Sequence, residues 1–317
     1  MNEHTSPAFW PARGSLHEGR AFVLKEDVIF TVLAQEGGIS WMNGRHPQSG
    51  GSFIIATAVS DEEEERATRL LKNEFALRDR LHDGWAIRPV ATTQYRGRFA
   101  LVYAPFCFEL LACRAGKAIS GIARFIEMAI RISGPLRQMH QHNLIHGDIK
   151  PGSIFVHHDA TCRLCSFGLS CGTSDAFSQS RLAASGGTPA YMSPEHTTRT
   201  RRAVDSRSDL YSLGIVLYEL LTGRLPFELS ADDQTNWAHY HIASEPLAPG
   251  RVRPDVPGML STIILKLLEK NPENRYQTVD GLIADLRRCQ ATLTVEGEIV
   301  DFIPGQQDRS PAIHLAD

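Results

Sequence analysis

The stretch HGDIKPGSIFV, residues 146–156, decides the fold of this chain. It follows an amphipathic helical pattern and precedes a short β-rich run. Four further motifs come after it in order: SFG at 166–168, GTPAYMSPE at 187–195, DSRSDLYSLGIVLYELLTGRLPF at 205–227 and NPENRYQT at 271–278. A single HxD would be weak support for any fold, whereas five ordered motifs are specific.

Short β-rich runs dominate the chain up to residue 105, and helical patterns dominate after it. The β-rich runs lie at 21–24, 28–34, 39–42, 52–59, 87–94 and 98–105, with one helical segment at 65–81. Helical periodicity then returns at 121–141, 207–222, 258–269 and 278–290. Strands first and helices later predict an α+β protein with a small β-rich lobe and a large helical lobe.

These patterns divide the chain into four predicted segments. They are a flexible arm at 1–19, the small lobe at 20–105, the large lobe at 106–290 and a linker tail at 291–317 toward a further domain.

Composition excludes several classes of protein. The 317 residues are 42% hydrophobic, which suffices for a sizeable core, and the net charge of −3 gives no drive toward nucleic acid or anionic membranes. No segment resembles a secretory signal, and no apolar run reaches the ~18 residues that span a bilayer. Six cysteines in a chain of this length indicate reduced thiols. We therefore expect a cytoplasmic protein without membrane insertion or nucleic-acid binding.

The five motifs resemble those of the serine/threonine protein kinases over about residues 20–290. HGDIKPGSIFV resembles the catalytic loop, SFG stands where the family has DFG, and GTPAYMSPE resembles the end of the activation segment. The resemblance implies a bilobal protein kinase-like fold and, in active members, phosphoryl transfer from ATP held by Mg²⁺.

The resemblance assigns three residues to the side of the site that meets the phosphate acceptor. Asp148 matches the catalytic base, Lys150 matches the lysine that contacts the transferred phosphate, and Thr188 matches the threonine that braces the pair. Asp148 is equally well interpreted as a hydrogen-bonded carboxylate that holds the loop, so both interpretations stay open.

Both magnesium ligands of the family are replaced. Ser153 stands five residues after Asp148, where the family has asparagine, and Ser166 stands in place of the DFG aspartate. Mg²⁺ prefers carboxylate oxygens, and a neutral hydroxyl supplies neither charge nor a strong bond.

The lysine of the third strand is also missing. Its position falls on Ala56, or on Thr57 as the near alternative, and the chain has no lysine between Lys25 and Lys72. Glu74 matches the helix glutamate that would pair with this lysine. Without its partner, Glu74 is predicted to be an ordinary solvated carboxylate.

The glycine-rich loop has lost its glycines, which fall on Ala34, Glu36 and Ile39. Trp41 takes the position of the valine that packs on adenine. It either fills the adenine pocket or packs outward on a surface of the lobe, and the second interpretation is favoured.

The motifs assign structural roles to six residues: His146, Phe167, Gly168, Glu195, Asp209 and Arg275. In the family the arginine at the position of Arg275 pairs with the glutamate at the position of Glu195, and we expect His146 to pack beneath Phe167. Gly147 replaces the arginine that clamps a phosphorylated activation loop. Because this arginine is missing, it could not bind a phosphate group on the nearby serines: Ser178, Ser180 and Ser185.

Three residue clusters suggest weaker hypotheses, and for each the structural interpretation is favoured. Cys162, Cys165 and Cys171 are interpreted as buried thiols of the core, in preference to a zinc or redox site. His140, His142 and His146 are expected to serve packing and hydrogen bonds. Arg199, Arg201 and Arg202 are interpreted as part of a solvated loop, in preference to a docking site for an acidic partner. No metal site is expected.

The phrases EFALRDRL, WAIRPV, LIHGDIKP and KNPENRYQT are similar to the N-terminal kinase-like module of large bacterial hybrid proteins. In those proteins the module precedes an AAA-type ATPase region, a GAF domain and a sensor histidine kinase, and FIPGQQDRS at 302–310 is similar to the link from the module into the ATPase region. This resemblance implies a protein partner or further domains of the same polypeptide.

The sequence thus favours a regulatory or scaffolding pseudokinase that needs no cofactor. Two alternatives remain, and only they involve ATP. One is an active kinase with an altered metal scheme that uses Asp148, Lys150 and either Asp205 or other nearby carboxylates, and the other is a nucleotide-sensing module that works without metal.

Overall fold

A computed structural model of the chain describes residues 27–48, 50–114, 116–174, 187–197, 202–227, 229 and 236–308. The predicted arm at 1–19 and the β-rich run at 21–24 lie outside these residues. The described chain forms two compact units. The first holds the residues up to Phe108 together with Cys165–Gly168, and the second holds Glu109–Leu164 and the residues from Leu169 on.

The first unit is a five-stranded antiparallel sheet with one helix. The strand order is β1–β2–β3–β5–β4. The strands are β1 (Ile29–Glu36), β2 (Ile39–Arg45), β3 (Ser52–Ala58), β4 (Ala91–Tyr95) and β5 (Arg98–Tyr103), and the helix is α1 (Glu64–Leu77). Gly37 and Gly38 have positive φ angles and form the tight β1–β2 turn. The predicted strand at 87–94 begins only at Ala91.

Helix α1 packs against β3 and β5. Its buried residues Ala67, Leu71 and Glu74 follow the spacing of one helical face. A glutamate in this series is unusual, because carboxylates are rarely buried unless they have a partner. The helix therefore directs an acidic side chain into the interior of the unit.

The second unit is mostly helical. Its helices are α2 (Ile122–Gln141), α3 (Ser206–Thr222), α4 (Trp237–Ala243), α5 (Pro249–Val252), α6 (Gly258–Leu267) and α7 (Val279–Glu296). Two small sheets complete it: β6 (Phe108–Leu110) with β8 (Ile154–His157) and β9 (Cys162–Leu164), and β7 (Leu144–Ile145) with β10 (Cys171–Gly172).

Helix α3 is the centre of the second unit, and most of its residues are buried. Asp205 caps its start by accepting a hydrogen bond from the backbone N–H of Arg207, and Gly223 ends it with φ +79°. A helix that is apolar on all sides is expected to be surrounded by others.

The C-terminal region differs from its prediction. Helix α7 does not end at residue 290 but continues to Glu296, so the first part of the predicted linker is helical. The chain then returns to the start of α7. There the Asp308 carboxylate accepts hydrogen bonds from the backbone N–H groups of Gln277, at 2.5 Å, and Thr278, at 3.0 Å. Residues 305–308 are thereby fixed to the second unit.

Within the part of the chain that the structure describes, no helix combines the length and the apolar character needed to cross a bilayer.

Candidate functional site

The loop between β7 and β8 carries Asp148 and Lys150, and both contact Thr188 within the second unit. One carboxylate oxygen of Asp148 accepts from the backbone N–H of Thr188 at 2.7 Å, and the other lies 3.1 Å from the Lys150 ammonium. Lys150 also donates to the Thr188 hydroxyl at 2.7 Å. The three residues form a closed hydrogen-bonded set.

The environment of Asp148 favours its charged form. Burial alone would raise the pKa of this carboxyl, but the Lys150 charge and the Thr188 N–H outweigh burial and hold the pKa below its usual value. The carboxylate is therefore ionised at neutral pH, and both of its oxygens have protein partners. This geometry suits a base and a structural carboxylate equally well.

The backbone of the loop is held by buried polar groups. The carboxylate of Asp209 accepts from the backbone N–H groups of His146, at 2.8 Å, and Gly147, at 2.9 Å, and also contacts His140 at 2.9 Å. His146 is fully buried, and its ring nitrogen accepts from the Asp148 N–H at 3.2 Å. Burial would raise the pKa of Asp209, but the His140 hydrogen bond and charge lower it.

Ser153 closes the turn that follows. It is fully buried, and its hydroxyl donates to the Lys150 carbonyl at 2.9 Å and accepts from the Lys150 N–H at 3.0 Å. A hydroxyl has one proton to donate, so this proton is already used by the backbone. The residue in the family's asparagine position thus serves as a cap for the short turn Pro151–Ser153.

In the first unit, Glu74 contradicts its prediction. The carboxyl is 1% exposed instead of solvated, and the Tyr103 hydroxyl donates to it at 2.9 Å. Burial raises the pKa of Glu74 to about 7, although the hydrogen bonds from Tyr103 and from the backbone of Phe167 lower it in part. The prediction was wrong because it considered only the missing lysine, and no motif drew attention to Tyr103 as a partner.

Trp41 also differs from its favoured interpretation. It is 2% exposed and does not pack outward. Trp41 and Leu101 lie opposite Ala56 on the two neighbouring strands. Cross-strand partners share a face of the sheet, as do residues two apart in one strand, so Tyr103 lies on this face as well. The Trp41 and Tyr103 ring centroids are 4.9 Å apart, and two aromatic rings therefore cover the face where the family has its lysine.

The SFG turn belongs to the first unit. Ser166 adopts φ +63°, which is uncommon for a residue other than glycine, and its hydroxyl lies 3.7 Å from the Cys165 sulfur. Phe167 is fully buried and meets Trp85 edge-on with ring centroids 6.0 Å apart. The contact between His146 and Phe167 would join the two units and stays a prediction.

Gly168 fixes this turn to helix α1. Its carbonyl accepts from the Asn73 amide at 2.9 Å. A Cβ atom on Gly168 would lie 2.7 Å from the Cβ of Leu70, so a larger residue would push the turn away from the helix.

Glu195 and Arg275 form the predicted pair. Their side chains are joined by two contacts, of 2.5 Å and 2.9 Å, and both are buried. The Ser208 hydroxyl adds a third contact to Glu195 at 2.9 Å. Burial would raise the pKa of Glu195, but Arg275 lowers it. The pair connects the end of the activation segment to the loop before α7.

The weaker candidates have structural surroundings. Cys162, Cys165 and Cys171 are buried as predicted, burial raises the pKa of Cys162 to about 11, and none of them belongs to a metal-ligating cluster of the described residues. Arg202 forms an exposed ion pair with Glu273. Five further candidates lie outside the described residues: Ser178, Ser180, Ser185, Arg199 and Arg201.

The fold and the motif geometry are those of a protein kinase, and the chain belongs to the protein kinase domain family, whose model matches residues 59–285. Among curated proteins it is similar to the serine/threonine-protein kinase PknB of Mycolicibacterium smegmatis, 40% identical over 166 residues, and to PknB of Mycobacterium tuberculosis, 39% identical over 166 residues. A probable serine/threonine-protein kinase of Streptomyces coelicolor is 36% identical over 167 residues. Each match covers 52% of this chain but only 24–26% of the relative, so the chain spans about a quarter of the length of these proteins.

Proposed function

We propose that this chain is a regulatory or scaffolding pseudokinase of bacterial signal transduction. In this proposal it passes a signal through the positions of its elements and through surface contacts, without transferring phosphate. The observation that carries the proposal is the Tyr103 hydroxyl at 2.9 Å from the buried Glu74 carboxyl. In an active kinase this glutamate pairs with the lysine that binds the nucleotide phosphates.

The position of that lysine supplies no positive charge. Ala56 has no functional group, and Trp41 and Tyr103 lie on its face of the sheet. Glu74, with a pKa of about 7, is partly ionised at neutral pH and would repel a triphosphate. The polar groups of this region satisfy each other and leave little for an anionic ligand.

The two metal-ligand positions do not fit magnesium. The Ser153 hydroxyl is used by the Lys150 backbone, and Ser166 offers a neutral oxygen where a carboxylate is required. Each lost charge contact is worth roughly 3 kcal/mol in a transition state, so together their loss implies a rate deficit of many decades.

The intact acceptor side favours one alternative, an active kinase with an altered metal scheme. The set of Asp148, Lys150 and Thr188 has the geometry of a base, a cation and a brace. One observation argues against this alternative. The Asp205 carboxylate caps α3 and pairs with Arg207 at 2.7 Å, so it is already used in contacts within the protein and is a poor candidate for a metal ligand. We therefore assign the acceptor set a structural role in holding the activation segment.

Two measurements on the full chain test the proposal. Thermal unfolding is followed with ATP in the presence and absence of Mg²⁺, because a ligand of the native state raises the apparent stability. Transfer of radiolabelled phosphate is followed in the same samples, with Asp148→Ala and Asp148→Asn as controls and an active serine/threonine kinase as the positive control.

We expect no magnesium-dependent shift and no transfer above the two Asp148 variants. Transfer that requires Mg²⁺ and disappears in both variants would instead establish an active kinase. A thermal shift of equal size with and without Mg²⁺, in the absence of transfer, would replace the proposal by nucleotide sensing.

The proposed setting is the cytoplasm, and the proposed partner is another protein or a further domain of the same polypeptide. The support for this setting is the near-neutral charge and the resemblance of FIPGQQDRS to an interdomain link. We propose that the module needs no cofactor for this role.

A further inference from the structure

Three consecutive side chains in the turn between β8 and β9 bring metal-ligating atoms together. His157, His158 and Asp159 each offer one ligand atom, and these atoms lie within 4.8 Å of one another. The turn belongs to the second unit and lies apart in sequence from the catalytic loop. The proposed function assigns no role to these residues.

The backbone of the turn is fixed by hydrogen bonds. The His157 N–H donates to the Thr161 carbonyl at 2.9 Å, and the Ala160 N–H donates to the His157 carbonyl at 2.8 Å. Ala160 adopts φ +62°, and beyond it the strand pairing continues with Val156 opposite Cys162. Because the backbone is ordered before any ligand binds, less conformational entropy is lost on binding.

The three side chains already contact each other, and a metal ion bound between them could take the place of these contacts. The Asp159 carboxylate accepts from the Thr161 N–H at 2.8 Å and lies 3.0 Å from a ring nitrogen of His157. The His157 and His158 ring centroids are 3.7 Å apart.

The space beside the turn has room for additional ligands. His157 and His158 line a cavity of about 140 Å³ together with residues of α2: Arg124, Glu127, Met128 and Arg131. One water molecule needs about 10–15 Å³ of such volume, so several fit. Glu127 and Arg131 neutralise each other at 2.9 Å, and Arg124 is the remaining charge among these residues of α2. Water or a small anion can therefore complete the coordination of a cation at the turn.

We propose that His157, His158 and Asp159 bind one divalent transition-metal ion of borderline softness, such as Zn²⁺, Ni²⁺ or Cu²⁺. Two imidazoles and one carboxylate suit these ions, whereas Mg²⁺ and Ca²⁺ prefer a set of oxygen ligands. Three protein ligands leave a position for water, and two of the three residues are exposed. We expect a dissociation constant in the micromolar range and one ion per chain.

The test is a calorimetric titration of the reduced full chain with Zn²⁺, Ni²⁺ and Mg²⁺. The variants His158→Ala and Asp159→Asn each remove one ligand from an exposed position and are expected to fold normally. His142→Ala removes an exposed histidine at the end of α2 as a matched control, and Cys107→Ser removes an exposed thiol. Thermal unfolding without metal verifies that each variant is folded.

We expect one Zn²⁺ or Ni²⁺ per chain and no binding of Mg²⁺. Loss of one ligand should weaken binding by about 10-fold or more, and the two controls should bind like the unchanged chain. Binding that survives in both His158→Ala and Asp159→Asn, or binding weaker than millimolar in the unchanged chain, would overturn the proposal. Because the site is independent of nucleotide, neither result bears on the pseudokinase assignment.

Discussion

The Tyr103 hydroxyl donates a hydrogen bond to the Glu74 carboxyl at 2.9 Å, and both side chains are buried. Strand β5 thus provides the partner of Glu74, whereas β3 has Ala56 at the position of the family's lysine. A neutral donor on the sheet thus contacts α1 at the position where the family's glutamate pairs with a lysine. In kinases the corresponding helix moves between active and inactive states, and here its glutamate has an internal partner.

Replacing Tyr103 by phenylalanine should destabilise the protein by about 1–3 kcal/mol, because the buried Glu74 would lose its side-chain donor. The measurement is the free energy of unfolding in urea. Tyr95→Phe is the matched control, since Tyr95 lies on the same sheet and is only half-buried. Its cost should stay within about 0.5 kcal/mol. Equal costs for the two variants would refute the assigned role of Tyr103.

The stability should depend on pH through Glu74. Its pKa of about 7 in the folded state lies above the ordinary value of 4.5, so the native state holds the proton more tightly than the unfolded chain. The stabilisation from this group is complete below pH 4.5 and is lost as the pH rises to about 7. The difference corresponds to roughly 3 kcal/mol.

The variant Glu74→Gln isolates this effect, because glutamine resembles the protonated acid and does not titrate. The free energy of unfolding of the unchanged chain, minus that of the variant, should fall between pH 4.5 and 7 and level off above it. A difference that is constant over this range would show that the carboxyl is not held protonated.

Breaking the pair of Glu195 and Arg275 should be costly. Arg275→Met leaves a buried carboxylate without its cation and should cost about 3–5 kcal/mol in unfolding free energy. Replacing both residues by apolar ones should cost less than the sum of the single changes. Arg202→Met is the control: its ion pair with Glu273 is exposed and should contribute less than about 1 kcal/mol.

Asp308→Ala should destabilise the second unit by about 0.5–2 kcal/mol, the range for a lost helix cap, because Asp308 accepts backbone hydrogen bonds at the start of α7. Hydrogen exchange should become faster at the amides of Gln277 and Thr278. Asp301→Ala is the control, since Asp301 is exposed on the same segment. Unchanged exchange in Asp308→Ala would mean that the returning segment does not hold the helix.

Much of this fold follows from local signals in the sequence. Helix α3 is a clear case, because its apolar run lies between the capping residue Asp205 and the left-handed Gly223. The pairing of Glu195 with Arg275 followed from motifs that occur together in the protein kinase family. Both features could therefore be predicted from the order and spacing of residues in this sequence.

Other features depend on partners that are distant in the chain. Glu74 on helix α1 has a buried partner because Tyr103, 29 residues later, supplies a hydroxyl from strand β5. The burial of Trp41 depends on the registers of β2, β3 and β5, which no local motif specifies. The cap at Ser153 could have been suspected, since serine hydroxyls often bond to nearby backbone groups.

The return of the chain to the start of α7 determines where a mechanical load would enter the fold. Tension applied to the chain after Asp308 would act on the amides of Gln277 and Thr278 before it reached the end of the helix at Gly297. Arg275, which pairs with Glu195, lies two residues before Gln277. Stretching would therefore load these two hydrogen bonds first, and it would load the last turn of α7 only after they break.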